Sequence, residues 1–172
     1  MDKEVALFDY ANEIVRGILN GAVLTVKTEK KTNALLIAWG TVGNQWHIPM
    51  VTVYIKKCRY SHDMLDEAKN FTLNIPLKGH LDPRTNIFGS KSGREMDKIK
   101  ESGISLLESK CVPSPALDIP SLILECNVIY RQEQDLELVE DPRAKRSYPL
   151  GTDQHCPHTM YQAEVLRAYI HE

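Results

Sequence analysis

Residues 51–65 read VTVYIKKCRYSHDML, a stretch that changes character halfway along. In Val51–Ile55, three β-branched residues alternate with two polar ones, and this period of two predicts a half-buried β-strand. The strand's polar face is free to contact something else. Three cations follow within Lys56–Arg59, and Ser61 then stands where it can cap a helix that we predict to end near Lys69. The segment therefore predicts a strand, a basic turn and a helix.

Similar patterns recur along the chain. Further strands are predicted at Ala22–Thr28, Asn33–Trp39, Phe71–Ile75, Ser121–Arg131 and Thr159–Ile170, and helices at Leu7–Ile18 and Ser92–Ser102. Connections are predicted at Thr28–Thr32, Gly40–Gln45, Pro113–Pro120 and Glu140–Pro157. Five or six strands with few helices between them indicate a mainly β antiparallel barrel rather than alternating βαβ units. No domain boundary is visible, so we predict a single domain over residues 1–172.

The composition restricts the class of protein. The chain has 172 residues, of which 42% are hydrophobic and 26% charged, as in ordinary soluble globular proteins. With a net charge of −2, it has no overall field that attracts nucleic acid or an anionic membrane, and we expect neither as a partner. The four cysteines show no CxxC pair, and the first residues lack the apolar core of a signal peptide. We therefore expect reduced thiols and a cytoplasmic location.

The segment Gly89–Lys98, GSKSGREMDK, is rich in glycine, serine and cations. Its spacing is not that of the phosphate-binding GxxxxGK[ST] loop. Ser92 stands three residues before Glu95, a capping-box match that explains those two residues without any ligand. It does not explain Lys91 and Arg94, since the dipole disfavours cations at a helix N-terminus. A bound anion would reverse that penalty.

The basic turn Lys56–Ser61 also directly precedes a predicted helix. Two basic helix starts suit a dianionic phosphate, and Arg59 could bind two of its oxygens at once. Two solvated, capped helices would explain the same spacing. A phosphate-bearing cofactor is therefore one of two interpretations of these residues.

The chain resembles the flavin reductase-like, FMN-binding split-barrel proteins, particularly the flavoredoxin group, from about Leu19 to Tyr169. Five segments in the same order carry the resemblance: NALLIAWGTVGNQW (33–46), VTVYIKKCRYSHDML (51–65), FGSKSGREMDK (88–98), LECNVIY (124–130) and HTMYQAE (158–164). Each segment alone is a weak signal, but together they are specific. The resemblance implies a split β-barrel with FMN as cofactor and a homodimer with the flavin near the subunit interface.

The resemblance also implies a set of cofactor-binding residues. The FMN phosphate is expected against Arg59, Tyr60, Ser61, Ser90, Lys91, Ser92 and Gly93. The ring is expected over Asn33, Ala38, Trp39 and Gly40, near Thr52, Val53 and Tyr54, with Lys98 close to the cofactor and His158 and Tyr161 closing over the ring. Lys98 and His158 are the candidate catalytic residues, because a cation near the ring would stabilise its reduced anionic form. Taken singly, Trp39 could be a core aromatic residue and His158 a satisfied polar one.

Three functions are compatible with this resemblance. The first is an enzyme in which NAD(P)H reduces bound FMN, which then passes electrons to a second flavin or another small-molecule acceptor. The second is an electron carrier that keeps FMN and exchanges electrons with protein partners without its own NAD(P)H activity. The third is a scaffold that has lost flavin, which the retention of Arg59, Ser61, Ser90 and Lys91 disfavours.

The tract Tyr148–Tyr161 looks longer than its counterpart in the family and adds His155 and Cys156. It is polar and contains Pro149, Gly151, Asp153 and Pro157, as loops that cover active sites often do. We hypothesise that it is a lid that selects the electron acceptor; a surface loop without a role is the alternative. His155, Cys156 and His158 do not have a recognised zinc spacing, so we predict no metal site. A Cys–His nucleophile pair would lack an identifiable orienting group.

Overall fold

The computed structural model describes residues 2–152 and 154–172 and is built mainly from β-strands. The strands are β1 (Lys3–Glu4), β2 (Ala22–Lys27), β3 (Thr32–Ile37), β4 (Gly40–Gln45), β5 (Ile48–Lys56), β6 (Asn70–Ile75), β7 (Leu106–Leu107), β8 (Ala116–Leu117), β9 (Ser121–Glu133) and β10 (His158–His171). The helices are α1 (Ala11–Gly21), α2 (Tyr60–Ala68), α3 (Ile87–Ser90), α4 (Lys98–Ser102) and α5 (Pro142–Lys145). Short 3₁₀ helices lie at Leu7–Tyr10, Pro83–Asn86 and Leu136–Leu138.

Eight strands form one antiparallel sheet in the order β3-β2-β6-β9-β10-β5-β4, with β1 paired to β10. The sheet curls around the main core, to which β2, β5, β6, β9 and β10 all contribute buried side chains. Within the described residues, no pairing joins β3 to β4, and α1 lies across this gap in contact with both. The fold is thus a split β-barrel, which confirms the predicted fold class.

The first helix has one buried and one exposed face. Ile14 and Ile18 are fully buried in the core, whereas Val15 and Leu19 on the neighbouring face are exposed. This is the 3.6-residue pattern that predicted the helix, although its first four residues form a 3₁₀ turn instead. The exposed face leaves apolar side chains beside the barrel's gap.

The prediction of a connection at Gly40–Gln45 is wrong, because these residues form β4, paired with β5. The glycine at position 40 is required by close packing rather than by a turn: a Cβ there would lie 2.8 Å from the carbonyl oxygen of Thr52. The real turn is Trp46–His47, where both residues have positive φ (55° and 59°). Positive φ at both positions is typical of a two-residue hairpin turn that matches the twist of its strands.

The predicted helix at Ser92–Ser102 is also mostly wrong, since only its last five residues form α4. The hydroxyl of Ser92 accepts a hydrogen bond from the Arg94 amide (3.2 Å), which holds a turn in place of a helical cap. Asp97 caps α4 instead, by accepting from the Lys100 amide. The helix α2 likewise begins at Tyr60 rather than being capped by Ser61.

Two predicted connections contain short regular elements. The proline-rich segment includes β8, which pairs with β7, and the polar segment Glu140–Pro157 includes α5. Across residues 2–152 and 154–172, no helix is long and apolar enough to span a membrane.

Candidate cofactor site

A trough made of two connected cavities runs along the outer side of β3 and β5. The larger, of about 450 Å³, lies between these strands and the tract that precedes β10; we call it the large cavity. The smaller, of about 70 Å³, is enclosed by β3, the start of α2 and the loop after α3; we call it the basic cavity. Leu35 and Arg59 line both cavities and join them.

Three chain segments meet at the basic cavity through close contacts. The side-chain amide of Asn33 on β3 donates a buried hydrogen bond to the Ser61 hydroxyl on α2 (2.8 Å). The loop comes equally close, because a Cβ on Gly93 would lie 2.4 Å from the Asn33 Oδ1 and 2.9 Å from the Tyr60 ring. Only glycine permits this approach. The glycine-rich loop is thus positioned against a strand and a helix N-terminus.

Arg59 and Lys98 line this cavity, and Lys31 lies beside it, bonded to the Gly93 carbonyl. Lys98 is only 3% exposed, and its ammonium donates to the Phe88 carbonyl (3.2 Å). Burial, and then the positive charges of Arg59 and Lys31, lower the pKa of Lys98 to about 8. None of the three forms an ion pair in the described part of the chain. A buried cation among cations is costly unless an anion joins it.

Arg94 has a different role from these three cations. Its guanidinium donates to the Asp63 carboxylate (2.9 Å) and to the Cys58 carbonyl (3.1 Å), and it lies over the Tyr60 ring. Arg94 therefore fastens the loop to α2 and is already neutralised. The Lys31 ammonium supports the same loop by donating to the Gly93 carbonyl (2.6 Å).

The large cavity has an aromatic wall. Trp39 is 44% exposed and lies against the His158 ring, with 4.6 Å between the ring centroids, so it is not a core residue. The His158 Nδ1 is hydrogen-bonded to the Tyr148 hydroxyl (2.8 Å), which also donates to Gln134. Burial, and then the charges of Lys56 and Arg59, lower the pKa of His158 to about 4. His158 is therefore neutral at pH 7 and supplies no positive charge.

The tract that precedes β10 forms the opposite wall of the large cavity. Ser147, Pro149 and Gln154 line it. The Lys56 ammonium holds the tract in place by donating to the carbonyl of Gln154 (3.1 Å) and to its side-chain oxygen (2.7 Å). The tract thus lies where a lid would lie; Asp153, which we included in the predicted lid, is outside the described residues.

Most of the predicted site residues lie along the trough. The basic cavity is lined by Asn33, Arg59, Tyr60, Ser61, Lys91, Ser92, Gly93 and Lys98, and the large cavity by Ala38, Trp39, Tyr54, Arg59 and His158. Lys98 thus lies at the basic end and not beside the aromatic wall.

Five predicted residues line neither cavity, and their role in cofactor binding stays a prediction. Thr52 and Val53 are buried in β5, and Gly40 borders a separate depression beside α1. The Ser90 hydroxyl donates to the Asn86 carbonyl, and the Tyr161 hydroxyl donates to Asp66 (2.7 Å).

Several residues that line or support the trough carry no clear signal in the sequence. Lys31 lies in a segment that the sequence predicts to be a charged turn, and Lys56 lies at the end of a predicted strand. Leu35 and Leu36 look like ordinary apolar residues of a strand. Arg146 and Gln154 lie in a polar loop whose sequence has no periodicity. For Lys31, its place directly before an apolar strand was a weak signal that it belongs to the site.

The tract's two histidines are engaged in hydrogen bonds rather than grouped around a common point. His155 is bonded through Nδ1 to the Tyr148 carbonyl (3.1 Å). In the described residues, no group of three or more histidine, cysteine, aspartate or glutamate side chains could hold a metal ion.

Comparison with known proteins gives the family. The flavin reductase like domain model matches residues 19–172, whereas a search of curated proteins found no match. Among solved structures, the FMN-binding domain of a flavin reductases-like enzyme from Shewanella baltica has a TM-score of 0.65 and 16% identity, over 99% of this chain and 77% of that one. For flavoredoxin from Methanosarcina acetivorans the values are 0.63 and 20%, over 88% and 68%.

A third similar structure is a Streptomyces globisporus NADH:FAD oxidoreductase, with a TM-score of 0.60 and 14% identity, over 90% of this chain and 80% of that one. At these identities the three structures show a shared fold, and they agree with the split barrel described above. The family model covers nearly the whole barrel, including both cavities of the trough. The chain belongs to the flavin reductase-like family.

Proposed function

We propose that the protein binds FMN and transfers electrons from NAD(P)H through it to a second flavin or another acceptor. The observation that carries this proposal is the group of Lys31, Arg59 and Lys98, which has no carboxylate partner among the described residues and lies at one end of a trough with an apolar and aromatic wall. A ligand with a phosphate at one end and a flat ring system at the other has this shape and charge. Bound FMN would supply the electron-transfer chemistry.

The chain's own residues would hold the phosphate at the basic cavity. The amides of Tyr60 and Ser61, the first two of α2, precede its first helical hydrogen bond and suit an anion, as does the helix dipole. Arg59, the residue just before α2, can bind two oxygens, and Lys98 supplies a charge that the fold already keeps desolvated. Riboflavin lacks the phosphate and would lose all of these contacts.

At the large cavity, the chain would orient the ring and control its charge. Trp39 and His158 offer flat surfaces, and the hydrogen bond between Nδ1 of His158 and the Tyr148 hydroxyl leaves Nε2 for a ligand. The cations that line this cavity are Lys56, Arg59 and Arg146. We therefore assign stabilisation of negative charge on the reduced ring to this group rather than to Lys98.

The first test is the absorbance spectrum of the purified protein. We expect a yellow protein, or a colourless one that takes up added FMN tightly and binds riboflavin far more weakly. The difference between the two ligands measures the phosphate's contribution. A protein that stays colourless and takes up no FMN would contradict the proposal.

The electron carrier is the second candidate, and the structural similarity to a flavoredoxin supports it. Anaerobic stopped-flow mixing of the FMN-loaded protein with NADH or NADPH separates the two functions. We expect rapid bleaching of the flavin absorbance, because the large cavity is open beside the aromatic wall. Bleaching by dithionite but by neither nicotinamide would instead identify a carrier.

We also propose a homodimer that uses the exposed face of α1. Val15, Leu19 and Trp39 border one depression there, and Leu19 is 74% exposed. An exposed apolar patch next to a candidate site is typical of an interface.

Sedimentation is expected to give twice the 19.6 kDa chain mass for the parent protein and the mass of a monomer for Leu19→Glu. Leu138→Glu, at an equally exposed leucine that does not border this depression, is the matched control and should remain dimeric. A monomeric parent protein at micromolar concentration would count against the dimer.

A further inference from the structure

Two cysteines that are 98 residues apart in the chain meet at the edge of the trough. The Cys58 amide donates to the Cys156 sulfur, with 2.9 Å between the nitrogen and Sγ. Cys58 is exposed and Cys156 half-buried. Neither residue is used in the function proposed above.

The strand register brings these two residues opposite each other. In the β5–β10 pair, Lys56 is opposite His158, and one residue further the Lys57 amide donates to the Pro157 carbonyl (2.9 Å). The next residues on the two segments are Cys58 and Cys156. Both residues lie just beyond the strand ends, Cys58 in the turn after β5 and Cys156 in the segment before β10, and the 2.9 Å between the Cys58 nitrogen and the Cys156 Sγ shows that they are in contact there. A disulfide needs Cα atoms about 4.4–6.8 Å apart, a separation that two residues in such contact can reach.

We propose that Cys58 and Cys156 form a reversible disulfide by exchange with a low-molecular-weight disulfide, and that this bond fixes the wall of the large cavity that contains Ser147, Pro149 and Gln154. The exposed Cys58 thiolate attacks one sulfur of the small disulfide and releases one thiol, leaving a mixed disulfide. The Cys156 thiolate then attacks the Cys58 sulfur and releases the second thiol. The protein loses two electrons and two protons, and two small thiols are formed.

The surrounding contacts explain why the bond would matter. In the reduced protein, the tract is held near β5 by hydrogen bonds from the Lys56 ammonium to Ser147 and Gln154 and from the Lys57 amide to the Pro157 carbonyl, and the bonds to Gln154 are exposed to solvent. A disulfide would tie Cys156, two residues after Gln154 in the wall of the large cavity, to Cys58, the residue before Arg59, which lines both cavities. The link would hold this edge of the trough closed. This part of the proposal rests on the proposed function, because it concerns access to bound FMN.

The other two cysteines do not share this arrangement. Cys126 is fully buried in β9. Cys111 is exposed, and its amide donates to the Glu125 carboxylate (2.6 Å) rather than to a sulfur. A single specific link is therefore expected.

The test treats the reduced full-length protein with glutathione disulfide and measures intact mass and linked tryptic peptides. We expect the loss of two hydrogen atoms, one peptide link between Cys58 and Cys156, and full reversal by dithiothreitol. The Cys156→Ser variant should instead retain one glutathione on Cys58, whereas Cys111→Ser should behave like the parent protein. Glutathione adducts without a Cys58–Cys156 link, or a link to Cys111, would overturn the proposal.

Two further measurements test the effect on the tract. FMN release from the oxidised protein is expected to be severalfold slower than from the reduced protein, with no such difference in Cys156→Ser. Independently of flavin, limited trypsin cleavage after Arg146 is expected to slow on oxidation. If the link forms but neither rate changes, the closure of the tract is refuted. A protein that forms the link and resists trypsin but binds no FMN would refute only the proposed function.

Discussion

Arg59→Ala is expected to weaken FMN binding by about 1.5–3 kcal/mol, or roughly 10- to 150-fold in dissociation constant, the range for a lost charge-assisted hydrogen bond. Arg59 lies where the two cavities join and has no carboxylate partner within the described residues, so its charge is available to a phosphate. Titration of flavin fluorescence measures the effect. Riboflavin binding should change much less, because it has no phosphate to lose.

Arg94→Ala is the matched control, since Arg94 lies in the same small region but is already paired with Asp63. Arg94 is exposed and fastens the loop, so we expect Arg94→Ala to weaken FMN binding less than Arg59→Ala does. The loss of affinity should be about the same for FMN and for riboflavin. If Arg59→Ala leaves FMN affinity unchanged, Arg59 does not hold the phosphate; if Arg94→Ala weakens FMN binding more than Arg59→Ala does, Arg59 is not its main cation.

Lys98→Met is expected to have two opposite effects, weaker FMN binding and a more stable apoprotein. The fold buries the Lys98 ammonium beside two other cations and lowers its pKa from 10.5 to about 8. That depression represents a free-energy cost of about 1–3 kcal/mol at neutral pH, after allowance for solvent around the group. Methionine fills a similar volume without the charge. Urea unfolding of the two apoproteins measures the gain in stability.

The pH dependence provides the control for this prediction. Between pH 8 and 10.5 the unfolded chain still holds the Lys98 proton while the folded protein has released it, so the stability of the parent apoprotein rises with pH in this range. The Lys98→Met variant should lack this rise. FMN affinity of the parent should fall as pH increases above 8, because the free protein must regain the proton to bind the phosphate. Equal stability and equal FMN affinity in the two proteins would show that Lys98 carries no such charge.

Most of the strands and the basic character of the site could be predicted from the sequence because they depend on local signals. Alternation over Val51–Ile55 identified β5, and the two basic segments indicated an anion site before any geometry was available. The errors came where tertiary packing overrode a local signal. Gly40 looked like a turn residue but allows β4 to pass the Thr52 carbonyl, and Ser92 looked like a helix cap but closes a turn.

The sequence by itself determined the family, the mainly β class and the residue types that suit a phosphate. Only the tertiary structure decided which cations remain free, since Arg94 and Lys98 look equivalent in the sequence but one is paired with Asp63 and the other is buried without a carboxylate partner in the described residues. It also decided which distant residues meet, namely Lys31 with the Gly93 loop and Cys58 with Cys156. The physical reason is that charge and hydrogen-bonding groups are fixed by residue type, whereas desolvation and pairing depend on what the folded chain brings within a few ångströms.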